Sequence, residues 1–293
     1  MMARSLARAE ADFPVERIEI RPGRTLAVYQ KHASNCRAVA ILVHGSAATL
    51  LQWQHQIKTL EKSNLTVIAF DLLGCGRSAK PSDWYAYAIR EHLEDVREVV
   101  RRFSIHGKPT VVFGHSMGCT LAIKAAHSAA EIAALVLICP VAALPGSVAL
   151  FRLPLFLLEW MQPTLSKGFT QAAFHAETLV GHTPEHSALL ALSAELQGAN
   201  SMRMCKAYYR QLELATPEEL ALPDRVGVLV IAGEADLVAP KEEHASVLAS
   251  TLLKGVPPSE RVKVVERASH QCMQEQPSQV NGLIQAFLDE RGL

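Results

Sequence analysis

Short runs of consecutive apolar residues recur along this chain, and longer segments with helical spacing separate them. The apolar runs lie at residues 39–43, 65–70, 109–113, 134–138, 226–231 and 262–265. Strands that are buried on both faces carry such continuous apolar character, which is typical of a parallel sheet. Amphipathic helical spacing is present at residues 53–62, 87–103, 240–253 and 277–288. The pattern therefore predicts an α/β fold with a mostly parallel central sheet and helices on both faces.

Two parts of the chain depart from this alternation. Residues 15–20 and 25–29 alternate polar and apolar positions around Pro22-Gly23, which predicts an antiparallel hairpin at the sheet edge. Between about residue 141 and residue 222 the strands stop, and the sequence is helical and punctuated by turn residues.

We expect three parts in consequence. They are a first part of the core at residues 1–140, a helical insertion at residues 141–222 and a second part of the core at residues 223–293. The polar residues from Met1 to about Glu10 are expected to form a frayed arm.

The sequence Gly114-His115-Ser116-Met117-Gly118 follows the apolar run at 109–113 and precedes a helix-forming segment at 119–127. A G-x-S-x-G pentapeptide has chemical meaning only between a strand and a helix, and both are predicted here. Such a turn strains the serine backbone and lifts its hydroxyl clear of the sheet, at a helix N-terminus whose dipole favours a developing negative charge. Gly114 and Gly118 are expected where a Cβ atom would collide with the neighbouring strand or helix.

Reactive residue types follow the other predicted strands. The loops are His44-Gly45-Ser46, Asp71 to Ser78, Ala232-Gly233-Glu234-Ala235-Asp236 and Glu266 to His270. In these motifs the chain resembles the α/β-hydrolase fold superfamily, in its capped serine esterase and lipase branch, from about residue 15 to the end without the insertion. The order of serine, acid and histidine along the chain agrees with that fold.

The resemblance implies that Ser116 is the nucleophile, His270 the general base and acid, and Asp236 the carboxylate that orients the imidazole. A serine hydroxyl needs a neutral imidazole to remove its proton, and the imidazole needs a buried acceptor that fixes its tautomer. Glu234 lies two residues before Asp236 and is the competing acid. Asp236 is chosen because the family places its acid at the end of G-x-x-D.

The resemblance also implies an oxyanion hole formed by backbone N–H groups of Met117 and Ser46, with Ala47 as the alternative second donor. Gly45 would let its loop approach the substrate oxygen closely. His44 and His115 are interpreted as packing or supporting residues and not as bases. The stretch from Asp71 to Ser78 is interpreted as a structural turn.

Composition excludes several functions. Lys plus Arg and Asp plus Glu number 29 each, so no net field attracts nucleic acid, and no nucleic-acid partner is predicted. The 6 cysteines are scattered without a C-x-x-C pair, and no histidine cluster has metal-ligand spacing. We expect reduced thiols, no metal and no cofactor. No apolar stretch approaches the roughly 18 residues of a membrane span, so a cytoplasmic protein is predicted.

The leading functional hypothesis is a carboxylic ester hydrolase that acts through an acyl-enzyme on a small-molecule ester with an apolar acyl chain, of the monoacylglycerol or lysophospholipid type. Residues 148–161 carry only Arg152 and Glu159 as charges. They would line an acyl pocket, touch a lipid surface at the membrane periphery, or form the insertion's own core.

Alternatives stay open. A thioesterase or depalmitoylase would use the same residues, and a ligand-binding or receptor member of the fold would turn over slowly or not at all. Serine at the nucleophile position disfavours haloalkane dehalogenases and epoxide hydrolases, which use aspartate there. Carbon–carbon bond hydrolases and perhydrolases keep serine and are less favoured options. The sequence leaves the natural substrate and the oligomeric state undetermined.

Overall fold

The computed structural model describes residues 3–293, and an eight-stranded sheet forms its centre. The strands are β1 (Glu16–Arg21), β2 (Arg24–Lys31), β3 (Ala38–Val43), β4 (Leu65–Phe70), β5 (Thr110–His115), β6 (Ile132–Ile138), β7 (Gly227–Gly233) and β8 (Lys263–Val265). Their order across the sheet is β1-β2-β4-β3-β5-β6-β7-β8. The predicted mostly parallel sheet is confirmed, because β3 to β8 all run parallel to their neighbours in this group.

The predicted hairpin is also confirmed at the sheet edge. Strands β1 and β2 pair antiparallel around Gly23, whose φ is 72°, and β2 pairs antiparallel with β4. A positive φ suits glycine in a tight turn, because it has no Cβ to clash there.

Alternate residues of the central strand β3 enter two separate apolar cores. Val39, Ile41 and Val43 face one core, and Ala38, Ala40 and Leu42 face the other. This two-sided burial explains why the strand has a continuous apolar sequence.

Helices cover both faces, as predicted. The helices outside the region between β6 and β7 are α1 (Ala3–Asp12), α2 (Gln54–Lys62), α3 (Ile89–Phe103), α4 (Met117–Ser128), α10 (Ala245–Leu252), α11 (Cys272–Glu275) and α12 (Pro277–Glu290). Buried residues of α3, α4 and α10 belong to one core, and those of α2 and α12 belong to the other.

The chain between β6 and β7 contains no strand among its described residues and folds into five helices. They are α5 (Leu155–Ala173), α6 (Ala176–Val180), α7 (Pro184–Gly198), α8 (Met202–Arg210) and α9 (Pro217–Leu220). We call this region the insertion. A 3₁₀ segment at Gly146–Arg152 precedes α5, so Pro154 divides the apolar stretch at 148–161 into two elements.

One expectation for the N-terminus is wrong. The arm predicted to fray is helix α1 from Ala3 onward, and Leu6 and Ala9 pack against the second core. Residues 1 and 2 of that predicted arm lie outside the described residues. Ala, Arg, Leu and Glu favour a helix in this segment, and the packing of the two apolar side chains stabilises it.

Candidate active site

Ser116 occupies a strained turn between β5 and α4. Its φ of 52° and ψ of −121° place a non-glycine residue in a region that L-residues rarely adopt. The backbone N–H of Ser116 donates to the carbonyl of Ile138 at 2.9 Å, which helps to hold the turn. Strain of this kind persists only where the surroundings enforce it, and it is concentrated at functional sites.

The glycines on either side of the turn permit close packing of backbone on backbone. A Cβ added at Gly114 would lie 2.6 Å from the Cα atom of Cys119. A Cβ added at Gly118 would collide with the carbonyl oxygen of Val43 and lie 2.7 Å from that of His44. Strand β5 therefore lies too close to helix α4 for a side chain at Gly114, and strand β3 with its following loop lies too close to α4 for a side chain at Gly118.

The loops after β7 and β8 bring Asp236 and His270 together. Oδ2 of Asp236 lies 2.8 Å from Nδ1 of His270. The other carboxylate oxygen, Oδ1, accepts the backbone N–H groups of Val238 at 2.9 Å and Ala239 at 2.8 Å. The buried carboxylate is thus fully hydrogen-bonded, and its orientation toward the imidazole is fixed.

The two groups of this pair shift each other's pKa. Burial alone would lower the pKa of His270, but the charge and hydrogen bond of Asp236 outweigh it and raise that pKa. Burial would raise the pKa of Asp236, and the charge of His270 together with the hydrogen bonds lowers it instead. Asp236 is therefore ionised at neutral pH and stabilises positive charge on the imidazole.

The competing acid Glu234 faces elsewhere. It is exposed, and its Oε2 accepts the backbone N–H of Arg267 at 3.0 Å. Residues 234 and 235 form a turn directly after β7, and this turn leaves Glu234 exposed while Asp236 is buried.

A single cavity of about 480 Å³ connects the serine and the histidine. Ser116, His270, Met117 and residues of the loop Gly45-Ser46-Ala47 line it, together with the insertion. Among the described residues, no hydrogen bond joins the Ser116 hydroxyl to His270. In hydrolases without substrate this contact is often long, and it tightens on binding.

The loop after β3 supplies two candidate backbone donors. The Gly45 N–H donates to Oε1 of Gln52 at 3.0 Å, and the Ala48 N–H donates to the Gly45 carbonyl at 3.3 Å. Between them lie the N–H groups of Ser46 and Ala47. A Cβ at Gly45 would lie 2.8 Å from Nδ1 of His115, so only glycine fits there. Met117 is the first residue of α4, where an N–H group has no acceptor within the helix.

The two other histidines near the elbow are buried and neutral. Nδ1 of His44 donates to the Gly45 carbonyl at 2.7 Å, and its Nε2 accepts the Leu72 N–H at 2.9 Å. Burial lowers the pKa of His44 to about 4 and that of His115 to about 3. Nε2 of His115 lies 2.8 Å from the carbonyl oxygen of His270. Both imidazoles therefore support backbone of the site.

Asp71 supports its own turn. Its Oδ1 accepts the Leu50 N–H at 2.7 Å and its Oδ2 accepts the Arg77 N–H at 2.8 Å. These bonds connect the loop after β4 to the 3₁₀ turn that follows the Gly45 loop.

One group among the described residues has the spacing of a metal site. Ligand atoms of His115, Cys139 and His270 lie within 4.8 Å of one another. Each imidazole already uses one nitrogen in the hydrogen bonds given above. The contact with Cys272, whose Sγ is 3.7 Å away, and burial raise the pKa of the Cys139 thiol. A metal ion binds the thiolate, which the raised pKa disfavours. These side chains are therefore better suited to supporting the Asp236–His270 pair than to binding a metal ion.

Sequence reasoning missed several supporting side chains. Oε2 of Glu275 accepts the Ser269 N–H at 2.7 Å, and its Oε1 accepts the His175 N–H at the same distance. Gln52 and Asn200 contact the Gly45–Ala47 loop. These residues belong to no short motif and lie far apart in the chain. The only signal in the sequence was that Glu275 follows His270 closely.

The parallel sheet, the serine elbow after β5 and the loops after β7 and β8 place the chain in the α/β-hydrolase superfamily. Solved structures agree. An esterase from Exiguobacterium antarcticum is 18% identical with a TM-score of 0.75, covering 94% of this chain and 98% of that one. A bromoperoxidase from Bacillus anthracis has a TM-score of 0.75 at 16% identity, covering 94% of this chain and 100% of that one. At such identity the likeness shows the fold alone.

Within the superfamily, a family model described as serine aminopeptidase, S33, matches residues 34–277, and the chain belongs to that family. Human protein ABHD8 is 27% identical over 280 residues, which is 92% of this chain. The chain spans only 60% of that relative's length. A protein of Arabidopsis thaliana named "Probable lysophospholipase BODYGUARD 2" is 36% identical over 101 residues, 33% of this chain and 21% of that one.

None of the described helices is both long enough and apolar enough to cross a membrane.

Proposed function

We propose that this chain is a serine hydrolase that cleaves carboxylic esters through an acyl-enzyme on Ser116. The observation that carries the proposal is the hydrogen bond of 2.8 Å between Asp236 and His270 beside a cavity that Ser116 also lines. This is the arrangement that turns a serine hydroxyl into a nucleophile.

In the proposed reaction, Oγ of Ser116 attacks the ester carbonyl carbon while Nε2 of His270 takes its proton. The negative charge on the carbonyl oxygen is stabilised by the N–H of Met117 and that of Ser46 or Ala47. The tetrahedral intermediate collapses, His270 gives its proton to the departing alcohol, and a water activated by the same imidazole hydrolyses the acyl-enzyme. Asp236 holds the His270 imidazole in the tautomer that carries its proton on Nδ1, and it stabilises the imidazolium.

The cavity favours an uncharged substrate with an apolar acyl chain. None of the described residues that line it is Asp, Glu, Lys or Arg. Apolar side chains of the insertion form much of its wall, among them Phe151, Leu165, Phe169, Leu192 and Leu196. A charged group would lose its hydration there without gaining a partner of opposite charge. A neutral ester such as a monoacylglycerol therefore fits better than a lysophospholipid, whose phosphate would be unpaired.

The same absence of charge argues against aminopeptidase activity, the activity in the family's description. An aminopeptidase has to hold a free α-ammonium group, and a carboxylate is the usual partner for it. None of the residues that line the described cavity supplies one. A thioester of an apolar acyl chain is accommodated as readily as an oxygen ester, so thioesterase activity is the second candidate.

The experiment is turnover of p-nitrophenyl esters of graded chain length, with labelling by a fluorophosphonate and Ser116→Ala as control. We expect hydrolysis that improves with acyl length, labelling of Ser116, and loss of both in the variant. A monoacylglycerol should be preferred to the lysophospholipid with the same acyl chain. Binding of these esters without turnover would favour a receptor, and full activity of Ser116→Ala would exclude the mechanism.

Contact with a lipid surface is a further part of the proposal. Phe156 and Trp160 of α5 are 66% and 80% exposed. An aromatic side chain gains free energy by entering the interfacial region of a bilayer. A cytoplasmic location with reversible lipid contact follows as a prediction. Trp160→Ser should reduce co-sedimentation with vesicles of neutral phospholipid, whereas Val180→Ser, which changes a 60% exposed apolar residue of α6, should not.

A further inference from the structure

Two side-chain amides hold the loop between β3 and the 3₁₀ turn at Leu50–Trp53. Gln52, from that turn, accepts the Gly45 N–H with its Oε1 at 3.0 Å. Asn200, from the insertion, donates with its Nδ2 to the carbonyl of Ala47 at 2.6 Å. Both side chains belong to buried residues, with 4% exposure each. Buried hydrogen bonds of this kind limit the orientation of the peptide groups that they contact.

The positions of these contacts in the loop are informative. The Gly45 N–H belongs to the peptide group before Gly45, and the Ala47 carbonyl belongs to the peptide group after Ala47. The two peptide groups between them carry the N–H groups of Ser46 and Ala47, which are the two candidate oxyanion donors. Holding both flanking peptide groups therefore fixes the direction of either donor.

The loop needs this support because its backbone is strained. Ala47 has a φ of 52°, a left-handed conformation that is unfavourable for a residue with a Cβ. Such a residue costs of the order of 1–3 kcal/mol and keeps its conformation only when the surroundings impose it. Asn200 brings one contact from the insertion to this loop, and its second N–H donates to the carbonyl of Leu196 at 3.0 Å in α7.

We propose that Asn200 is a positioning residue that couples the position of the insertion to the geometry of the oxyanion hole. The inference rests on the proposed function of the site. The insertion lines the cavity. Through the contact of Asn200 with Ala47, it also fixes the direction of the N–H donors that stabilise the transition state. Gln52 completes the arrangement, because its Nε2 donates to Oε1 of Gln271 at 2.8 Å, next to His270.

The test compares Asn200→Asp with the wild-type chain, using a p-nitrophenyl ester and an alkylboronic acid that forms a tetrahedral adduct with the serine. Aspartate has nearly the same size as asparagine, but its ionised carboxylate donates no hydrogen bond to Ala47. Removing an oxyanion donor outright costs about 10²–10³ in kcat. We expect a misdirected donor to cost about 10- to 100-fold in kcat, with KM within about twofold. The boronic acid should bind more weakly by a similar factor.

Gln162→Ala is the matched control. Nε2 of Gln162 donates to the backbone carbonyl of Asn200 at 3.4 Å, so this variant loosens the same residue within the insertion and leaves the contact with Ala47 in place. It should keep wild-type kcat. Asn200→Ala, which removes the amide without adding charge, should repeat the loss seen in Asn200→Asp, and thermal melts check that each variant is folded.

Wild-type kcat in folded Asn200→Asp and Asn200→Ala overturns the coupling and leaves the proposed function intact. An equal loss in Gln162→Ala also overturns it, because general support of the insertion would then explain the effect. An inactive wild-type chain that also fails to react with a fluorophosphonate overturns the proposed function and the coupling with it.

Discussion

Nδ1 of His270 lies 2.8 Å from Oδ2 of Asp236, and the two side chains are 2% and 0% exposed. Burial removes the competition of water for this hydrogen bond, while the two backbone N–H groups on Oδ1 keep the carboxylate ionised. The contact therefore defines which imidazole nitrogen carries the proton. Nε2 is left as the proton acceptor.

Asp236→Asn should keep the fold and lose activity. The amide is nearly isosteric, but it can stabilise the wrong imidazole tautomer and no longer balances an imidazolium. In a serine protease the equivalent change lowers kcat about 10⁴-fold, and a similar loss is expected here. KM should change little if chemistry limits turnover, because the interaction strengthens in the transition state. Steady-state kinetics at matched folding measure both constants.

Glu234→Gln is the internal control for this assignment. Its carboxylate is exposed and contacts the backbone of Arg267, so its neutralisation should alter kcat by less than about threefold, as expected of an exposed charge outside the reaction centre. If Glu234→Gln lost most of its kcat while Asp236→Asn kept a kcat close to that of the wild type, the assignment of Asp236 as the acid would be wrong.

The pH profile of kcat/KM should fall in a single step on its acidic side, and this step should reflect the titration of His270. The imidazole acts as a base only when neutral, so kcat/KM falls as pH falls through its pKa in the free enzyme. The Asp236 carboxylate raises that pKa, which places the midpoint above the usual value of about 6.5. Asp236→Asn should move the midpoint to lower pH because the raising charge is gone. Rates of a chemistry-limited ester from pH 5 to 9 measure this, and a flat profile would contradict it.

His44 and His115 should not contribute to that step. Burial holds their pKa values at about 4 and about 3, so both stay neutral over the whole measured range. A second acidic inflection between pH 5 and 7 would show that another histidine titrates in the site.

The sheet was predictable because burial on both faces leaves a strong mark on sequence. The run at 65–70 matches β4 residue for residue, and that at 39–43 misses only Ala38 of β3. The helices on both faces follow from the amphipathic spacing between these runs, whereas the apolar pattern does not specify the order of the strands across the sheet. The N-terminal helix was not predicted, although its segment is rich in the strong helix formers Ala, Arg, Leu and Glu. A helix of this length also needs packing to be stable, and Leu6 and Ala9 supply that packing.

The positions of Ser116, Asp236 and His270 were within reach of sequence reasoning because each follows a strand that ends at the same sheet edge. Gln52 and Asn200 were not, because their importance lies in contacts between segments far apart in the chain. Asn200 donates a hydrogen bond to Ala47 although the two residues are 153 positions apart in the chain, and no local sequence pattern predicts such a contact. The cluster of Cys139 with two histidines escaped notice for the same reason.

Gly118→Ala should destabilise the fold. The added Cβ would collide with the carbonyl oxygen of Val43 and approach that of His44 to 2.7 Å, and both obstacles are backbone of a central strand and its loop. Overpacking typically costs about 1–3 kcal/mol, and backbone that cannot yield places the cost at the upper end. Denaturant unfolding should therefore show a clear loss of stability, together with lower esterase activity, because the shift of α4 would move Ser116.

Gly282→Ala is the matched control for this change. Gly282 lies inside helix α12, and a Cβ there meets no atom within 4 Å. Alanine is favoured over glycine in a helix interior by up to about 1 kcal/mol, so this variant should be slightly more stable than the wild type. If Gly118→Ala were equally harmless, β3 and α4 would not be packed as closely as described, and the strained serine turn would lose the contact that holds it.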